Sequence, residues 1–115
     1  MYIVVNTSIK MSKGKVGAQC AHVTSSLVRI MERFKTTPAY YSEWIKHGEP
    51  KIILRATEEE LLLLLSAYSH DDSYWCIPIR DAGRTQVEAG SLTVVGFRPL
   101  LKTKVPTDLS NLKLL

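Results

Sequence analysis

Residues 51–65 read KIILRATEEELLLLL, and this stretch decides the fold class because it joins a strand to a helix. Residues 51–56 predict a strand. Thr57 then predicts a helix start, since its hydroxyl can cap the helix and Glu60 completes a capping box. The three glutamates that follow Thr57 also suit the positive end of the helix dipole. We predict that this helix extends to about His70.

The residue patterns on either side of this stretch predict that strands and helices alternate along the chain. Strands are predicted at residues 2–7, 74–80 and 92–97, and helices at residues 13–34 and 39–46. The element order is therefore β-α-α-β-α-β-β. Helices between strands require crossover connections and favour parallel pairing, whereas the last two strands have only a loop between them. We predict an α/β fold with three layers, α/β/α, and a four-stranded mixed sheet in a single domain of residues 1–115.

The first long helix carries two neighbouring stripes. Steps of four and three residues predict one core-facing stripe, formed by Val16, Cys20, Val23, Leu27, Ile30 and Phe34. A second stripe lies one position before each of these residues, which rotates it by about 100° to the rim of the packed face. It comprises Lys15, Gln19, His22, Ser26 and Arg29. Side chains at this rim are placed to enter a cleft.

Composition and charge exclude several classes of protein. The hydrophobic share of 45% and the charged share of 23% are those of an ordinary globular protein. The net charge of +4 permits an anionic partner without identifying one. Cys20 and Cys76 lie too far apart for a metal-binding pair and predict buried free thiols in a reducing compartment. Residues 1–9 do not resemble a signal peptide, and the longest apolar run, residues 61–65, is too short to span a membrane. We therefore expect a cytoplasmic protein.

A basic segment, residues 10–15 (KMSKGK), precedes the first long helix. Lys10, Lys13 and Lys15 oppose the helix dipole there, and a locally unfavourable arrangement suggests a use for the charge, such as phosphate binding. A solvated basic turn is the alternative. The segment lacks the spacing of a P-loop.

A second polar segment, residues 81–86 (DAGRTQ), follows the third predicted strand. Asp81 can orient or deprotonate water, and Arg84 can hold a phosphate with two hydrogen bonds. Thr85 and Gln86 offer hydrogen bonds to a carbonyl oxygen that gains negative charge. The alternative is structural, because Asp-x-Gly is a common turn that Asp81 would only cap. His22 is likewise either polar lining of a cleft or a structural histidine.

Together these segments resemble the type 2 peptidyl-tRNA hydrolase family. That family's pattern is Lys-Met-x-Lys-Gly-Lys, then Ala-Gln-x-x-His along the first helix, matched here by residues 10–15 and 18–22. Asp-Ala-Gly-Arg-Thr-Gln follows later and matches residues 81–86, with Gly90, Ser91 and Thr93 also in place. Residues 112–115 match the ending of many members. The motifs occur in the right order over nearly the whole chain.

The resemblance implies hydrolysis of the ester between a peptide and the terminal ribose of tRNA, with no metal and no organic cofactor. It implies site positions at Lys15, Gln19, Asp81, Arg84 and Thr85, and at His22 with a less defined role. The residues fit direct attack by water, because no nucleophile–base pair is visible. Further residues are expected to hold the tRNA: Lys10, Lys13, Arg84, Gln86, Arg98, Lys102 and Lys104.

Several points stay open in the sequence. Either Asp81 or Lys15 could be the general base. A non-catalytic RNA-binding module and a protein-interaction adaptor are the alternative functions. The sequence predicts no membrane partner, and a homodimer is compatible with a small sheet that has free edges.

Overall fold

The computed structural model describes residues 1–34, 39–83 and 88–115. Its centre is one four-stranded sheet of β1 (Tyr2–Asn6), β2 (Ile52–Ala56), β3 (Cys76–Arg80) and β4 (Leu92–Phe97). The strand order is β2-β1-β4-β3. β1 and β2 are parallel, whereas β4 is antiparallel to both β1 and β3. The predicted mixed sheet is therefore confirmed.

Helices cover both faces of the sheet and confirm the predicted element order. They are α1 (Lys13–Glu32), α2 (Ala39–Lys46), α3 (Glu58–Tyr68) and α4 (Thr107–Ser110). A 3-10 turn, Lys102–Lys104, and the one-turn α4 lie in the region after β4. No helix of the described residues is long and apolar enough to cross a membrane.

The helix ends follow local rules that the sequence carries. Ser12 caps α1, accepting a hydrogen bond from the Lys15 backbone N–H at 3.2 Å. Thr57 and Glu60 form the predicted capping box of α3. Gly48, at φ 87°, ends α2, and the next residue donates to the carbonyl of Trp44 at 2.9 Å. That left-handed conformation favours glycine.

Two apolar clusters lie on opposite faces of the sheet. One joins α1 and α2 to one face, with Ile3, Val5, Val23, Leu27, Tyr41, Trp44 and Val94 among its members. The other joins α3 and α4 to the opposite face, with Val4, Leu54, Leu61, Leu64, Phe97 and Leu109 among its members. Alternation along β1 sends adjacent side chains to different clusters. These two clusters give the α/β/α layering.

The predicted core stripe of α1 was partly wrong. The buried residues of α1 are Gln19, Val23, Leu27 and Met31, all four apart. Phe34 is 43% exposed and lies beside Trp75, with ring centroids 6.1 Å apart. A row of residues four apart runs obliquely along a helix, so the contact face of α1 drifts as the helix crosses the twisted sheet. Consequently Ile30 and Cys20 are only half-buried.

The two cysteines are free thiols, as predicted, although only Cys76 is fully buried. Burial raises the pKa of Cys76 to about 12, and it raises the pKa of the half-buried Cys20 as well. Both therefore stay protonated at neutral pH.

α1 packs closely against β4 at Gly96. A Cβ atom at this position would lie 2.5 Å from Val23 Cγ2 and 2.9 Å from Leu27 Cδ1. Glycine is required here by space rather than by backbone conformation. The close approach sets the height of α1 above the sheet, and α1 carries the polar residues described below.

The last residues of the chain fold back against the edge of the sheet. Arg55 N donates to Lys113 O at 2.9 Å, and Leu115 N donates to Ile53 O at 3.1 Å. Leu109 of α4 is fully buried. The edge of β2 is therefore covered, which corrects the expectation that both edges are free. On the other edge, Pro78 of β3 removes one backbone donor.

Candidate active site

Asp81 follows β3 directly and is fixed by its own turn. Its backbone N–H donates to Ser91 O at 2.9 Å, and its carbonyl accepts from Gly90 N at 2.7 Å. Its Oδ2 accepts from the Gly83 N–H at 2.7 Å, and Gly83 adopts φ 77°. Asp81 therefore caps its turn, but the cap occupies only one carboxylate oxygen.

The other carboxylate oxygen, Oδ1, accepts a hydrogen bond from Lys15 Nζ. Lys15 lies in the first turn of α1, 66 residues away in sequence. The two side chains are only 8% and 5% exposed. The structure thus brings together the two polar segments that the sequence singled out, at the end of the sheet where α1 begins.

The surroundings keep Asp81 ionised. The hydrogen bond from Lys15 lowers the pKa of Asp81 below its ordinary value, with further lowering by the Gly83 N–H, while burial opposes this. Two donors to the charged form outweigh the loss of hydration. At neutral pH this site therefore holds a carboxylate with both oxygens hydrogen-bonded, one to Lys15 and one to Gly83.

Gln19 lies one turn after Lys15 and is buried, at 8% exposure, rather than at the rim as predicted. Its Oε1 accepts from the hydroxyl of Thr93 at 2.9 Å, and that hydroxyl also lies 3.1 Å from Ile79 O. The hydroxyl has one proton to share between these two oxygens, and its contact with Gln19 holds the amide group of that residue in place. The buried polar pair ties α1 to β3 and β4 beside Lys15.

Thr93 is a residue that the sequence analysis matched to the family pattern but gave no role in the site. It is fully buried in a strand that is otherwise apolar. The pairing of β3 with β4 shifts at Ile79 and Arg80, so that Ile79 opposes Val94 and Arg80 opposes Leu92. Thr93 is the extra, unpaired residue at this irregularity, and such an irregularity bends the strand locally. A lone hydroxyl in an apolar strand was the available signal, because buried polar groups need partners.

The remaining predicted site residues fall into separate groups. His22 is exposed on α1, and Lys10 and Lys13 are exposed around the start of that helix. Arg84, Thr85 and Gln86 lie outside the described residues.

The predicted basic residues after β4 are not brought to Asp81. Arg98 follows the six-residue β4, whose first residue, Leu92, pairs next to Asp81. At 3.3 Å per residue, Arg98 lies about 20 Å from that end of the sheet. Lys102 and Lys104 follow Arg98 in the exposed 3-10 turn.

Within the described ranges, no group of three His, Cys, Asp or Glu side chains is placed to hold a metal ion. What the arrangement offers is a fixed carboxylate, an ammonium group and an oriented amide. Such a set can orient a water molecule and stabilise a carbonyl oxygen that gains charge.

Comparison with known proteins supports a family assignment. The family described as "Peptidyl-tRNA hydrolase PTH2" matches residues 1–115. A "Peptidyl-tRNA hydrolase" of Methanococcus vannielii is 38% identical over 113 residues, covering 98% of this chain and 96% of that protein. One of Saccharolobus islandicus is 35% identical, covering 100% and 98%. "Peptidyl-tRNA hydrolase 2, mitochondrial" of Mus musculus is 40% identical over 99 residues, 86% of this chain and 54% of the relative. With a match along its whole length, this chain belongs to the peptidyl-tRNA hydrolase PTH2 family.

Proposed function

We propose that this chain is an ester hydrolase that cleaves the bond between a peptide, or an N-blocked amino acid, and the 3'-terminal ribose of tRNA. Its role is to recycle tRNA from prematurely released peptidyl-tRNA. Family membership supports this activity. The observation that carries it is the nearly buried Lys15–Asp81 pair, with the oriented Gln19 one turn away.

Asp81 acts as the group that aligns the attacking water. A carboxylate whose pKa lies below its ordinary value is a weak proton acceptor at neutral pH. Asp81 acts instead as a fixed hydrogen-bond acceptor. It binds Lys15 and also holds a water molecule in line with the ester carbonyl. Lys15 is the alternative base, and it would serve only after giving up its proton.

Lys15, Gln19 and Thr85 are the donors we propose for the oxyanion of the tetrahedral intermediate. Each can direct an N–H or O–H toward an oxygen that becomes negative. Thr93 supports this arrangement from behind by holding Gln19 Oε1. His22, one turn farther along α1, is a contact to the substrate close to the reacting ester.

The tRNA backbone is held by cations around this end of the sheet, Lys10, Lys13 and Arg84, with Gln86 beside them. Arg98, Lys102 and Lys104 remain predicted contacts for a more distant part of the tRNA. Binding of this kind weakens steeply as salt rises, because each phosphate contact releases counterions.

Release of a labelled N-acetyl-aminoacyl group from tRNA tests the function. We expect wild-type protein to release it, with or without a chelator, and Asp81→Asn and Lys15→Met to lower kcat by roughly 10²-fold or more while tRNA binding is kept. Glu43→Gln is the matched control, because it breaks an exposed ion pair with Lys46.

Two other outcomes would overturn the proposal. Binding of tRNA without release by the wild-type protein would favour a non-catalytic RNA-binding module. If the wild-type protein neither bound tRNA nor released the labelled group, a protein-interaction adaptor would be favoured.

We also propose the cytoplasm as the location, which the two free thiols favour. A homodimer remains a further proposal. With the β2 edge covered by the last residues, β3 is the strand on which such pairing would occur.

A further inference from the structure

A hollow of about 420 Å³ lies where β2 ends and the last residues of the chain pair with it. Arg55 and Lys113 line it together with the hydroxyl-bearing Thr7 and Thr57. The antiparallel bridge of Leu54 with Leu114 places Arg55 opposite Lys113. Two exposed cations therefore face each other across one pair of strands.

This charge arrangement is unfavourable in the protein alone. Like charges directly opposite each other destabilise a strand pair. Among the described residues, neither Arg55 nor Lys113 has a carboxylate oxygen within 4.0 Å. The one acid of the lining, Glu60, holds the N–H of Thr57 at 2.9 Å in the capping box. An anion between Arg55 and Lys113 would relieve their repulsion.

The hollow lies at the same end of the sheet as Asp81. β1, β2 and β3 point the same way, because β4 is antiparallel to both β1 and β3. β2 and β3 are three strand spacings apart, which is about 14 Å. A second hollow shares Thr7 with the first and extends past Lys10 to Val16, the neighbour of Lys15. Lys10 is the one cation in the lining of this second hollow, and it lies between the candidate active site and the pair of Arg55 and Lys113.

We propose that Arg55 and Lys113 bind backbone phosphates of the tRNA acceptor arm while the ester lies at Lys15 and Asp81. This inference rests on the proposed function. The lining favours RNA over an apolar peptide, because it consists mainly of cations and neutral hydrogen-bonding side chains. The tRNA then leaves the active site across the ends of β1 and β2, with Lys10 between the two sites.

The test compares two double variants with equal loss of charge. Arg55→Gln/Lys113→Gln removes the proposed phosphate contacts. Lys46→Gln/Lys51→Gln is the control, since both lysines are exposed and Lys51 precedes the opposite end of β2. The readouts are kcat and KM for N-acetyl-aminoacyl-tRNA, and the Kd of uncharged tRNA at several salt concentrations.

We expect the Arg55/Lys113 variant to raise KM and Kd about tenfold with little change in kcat, and to reduce the salt slope of log Kd by about 1.5. The control should keep the wild-type slope. Equal slopes in the two double variants would overturn the inference.

N-acetyl-aminoacyl-tRNA carries a single amino acid, so the same assay distinguishes RNA from peptide as the occupant of the hollow. A defect seen only with longer acidic peptides on the tRNA would assign the hollow to the peptide and overturn the inference. If wild-type protein released nothing, the proposed function itself would fail instead.

Discussion

Replacing Gly96 by alanine should destabilise the protein and also impair the candidate active site. The added methyl group would lie 2.5 Å from Val23 Cγ2, 2.9 Å from Leu27 Cδ1 and 3.2 Å from Val23 Cγ1. Val23 and Leu27 are fully buried, so neither can turn away into solvent. Overpacking of this kind costs about 1–3 kcal/mol, and the strand preference of alanine over glycine recovers roughly 0.5–1 kcal/mol of it.

The net loss is therefore about 0.5–2 kcal/mol, which lowers Tm by roughly 2–8 °C in a domain of this size. Urea unfolding and thermal melts measure it. The strain is relieved by lifting α1, which moves Lys15 and Gln19 relative to Asp81. A displacement of about 1 Å can cost 10²-fold in rate, so kcat should fall more than tRNA affinity does.

Two further variants make this reasoning refutable. Gly17→Ala, in an open position on α1, should instead stabilise by roughly 0.5–1 kcal/mol. Val23→Ala combined with Gly96→Ala should cost less than the sum of the two single changes, because the new methyl group occupies part of the space that Val23 vacates. If Gly96→Ala were as stable as wild type, or if the two costs simply added, close packing of α1 on β4 would not be the reason for this glycine.

The remaining predictions concern the polar residues that link α1 to β3 and β4. The lowered pKa of Asp81 means that its charge stabilises the fold above its ordinary pKa, and that this contribution is lost as pH falls through the lowered folded value. Urea unfolding should therefore show a stability gap between wild type and Asp81→Asn that shrinks as the pH falls from neutral to below the ordinary pKa of an aspartate, about 4; a constant gap would contradict the role of charge. Thr93→Val should cost about 1–3 kcal/mol by removing the donor to Gln19 and should lower kcat with little change in KM, whereas Thr93→Ser should restore both. If Thr93→Val were as stable and as active as Thr93→Ser, Thr93 would serve only in packing.

Much of the fold was readable because local signals agreed with one another. Each of these signals involves only a few neighbouring residues, so it can be read from sequence spacing. They are the Thr57 capping box, the glycine that ends α2 and the apolar runs of the strands. The motifs at residues 10–15 and 81–86 likewise pointed to Lys15 and Asp81, because lysines at a helix start oppose the helix dipole and a carboxylate at the end of a strand can orient water. These features and the family resemblance required no coordinates.

Other features depend on how the elements meet. The burial of Gln19 and the exposure of Phe34 follow from the angle at which α1 crosses the sheet, which helical periodicity alone does not contain. Thr93 became part of the site only through the irregular pairing of β3 with β4.

The sequence by itself determined the order of the elements, their caps and the residue types available for chemistry, because these depend on contacts between near neighbours. Only the tertiary structure decided that Lys15 meets Asp81 across 66 residues, that Arg98 lies at the far end of β4, and that Arg55 faces Lys113. Strand order and register set those distances, and both arise from packing between segments remote in the chain.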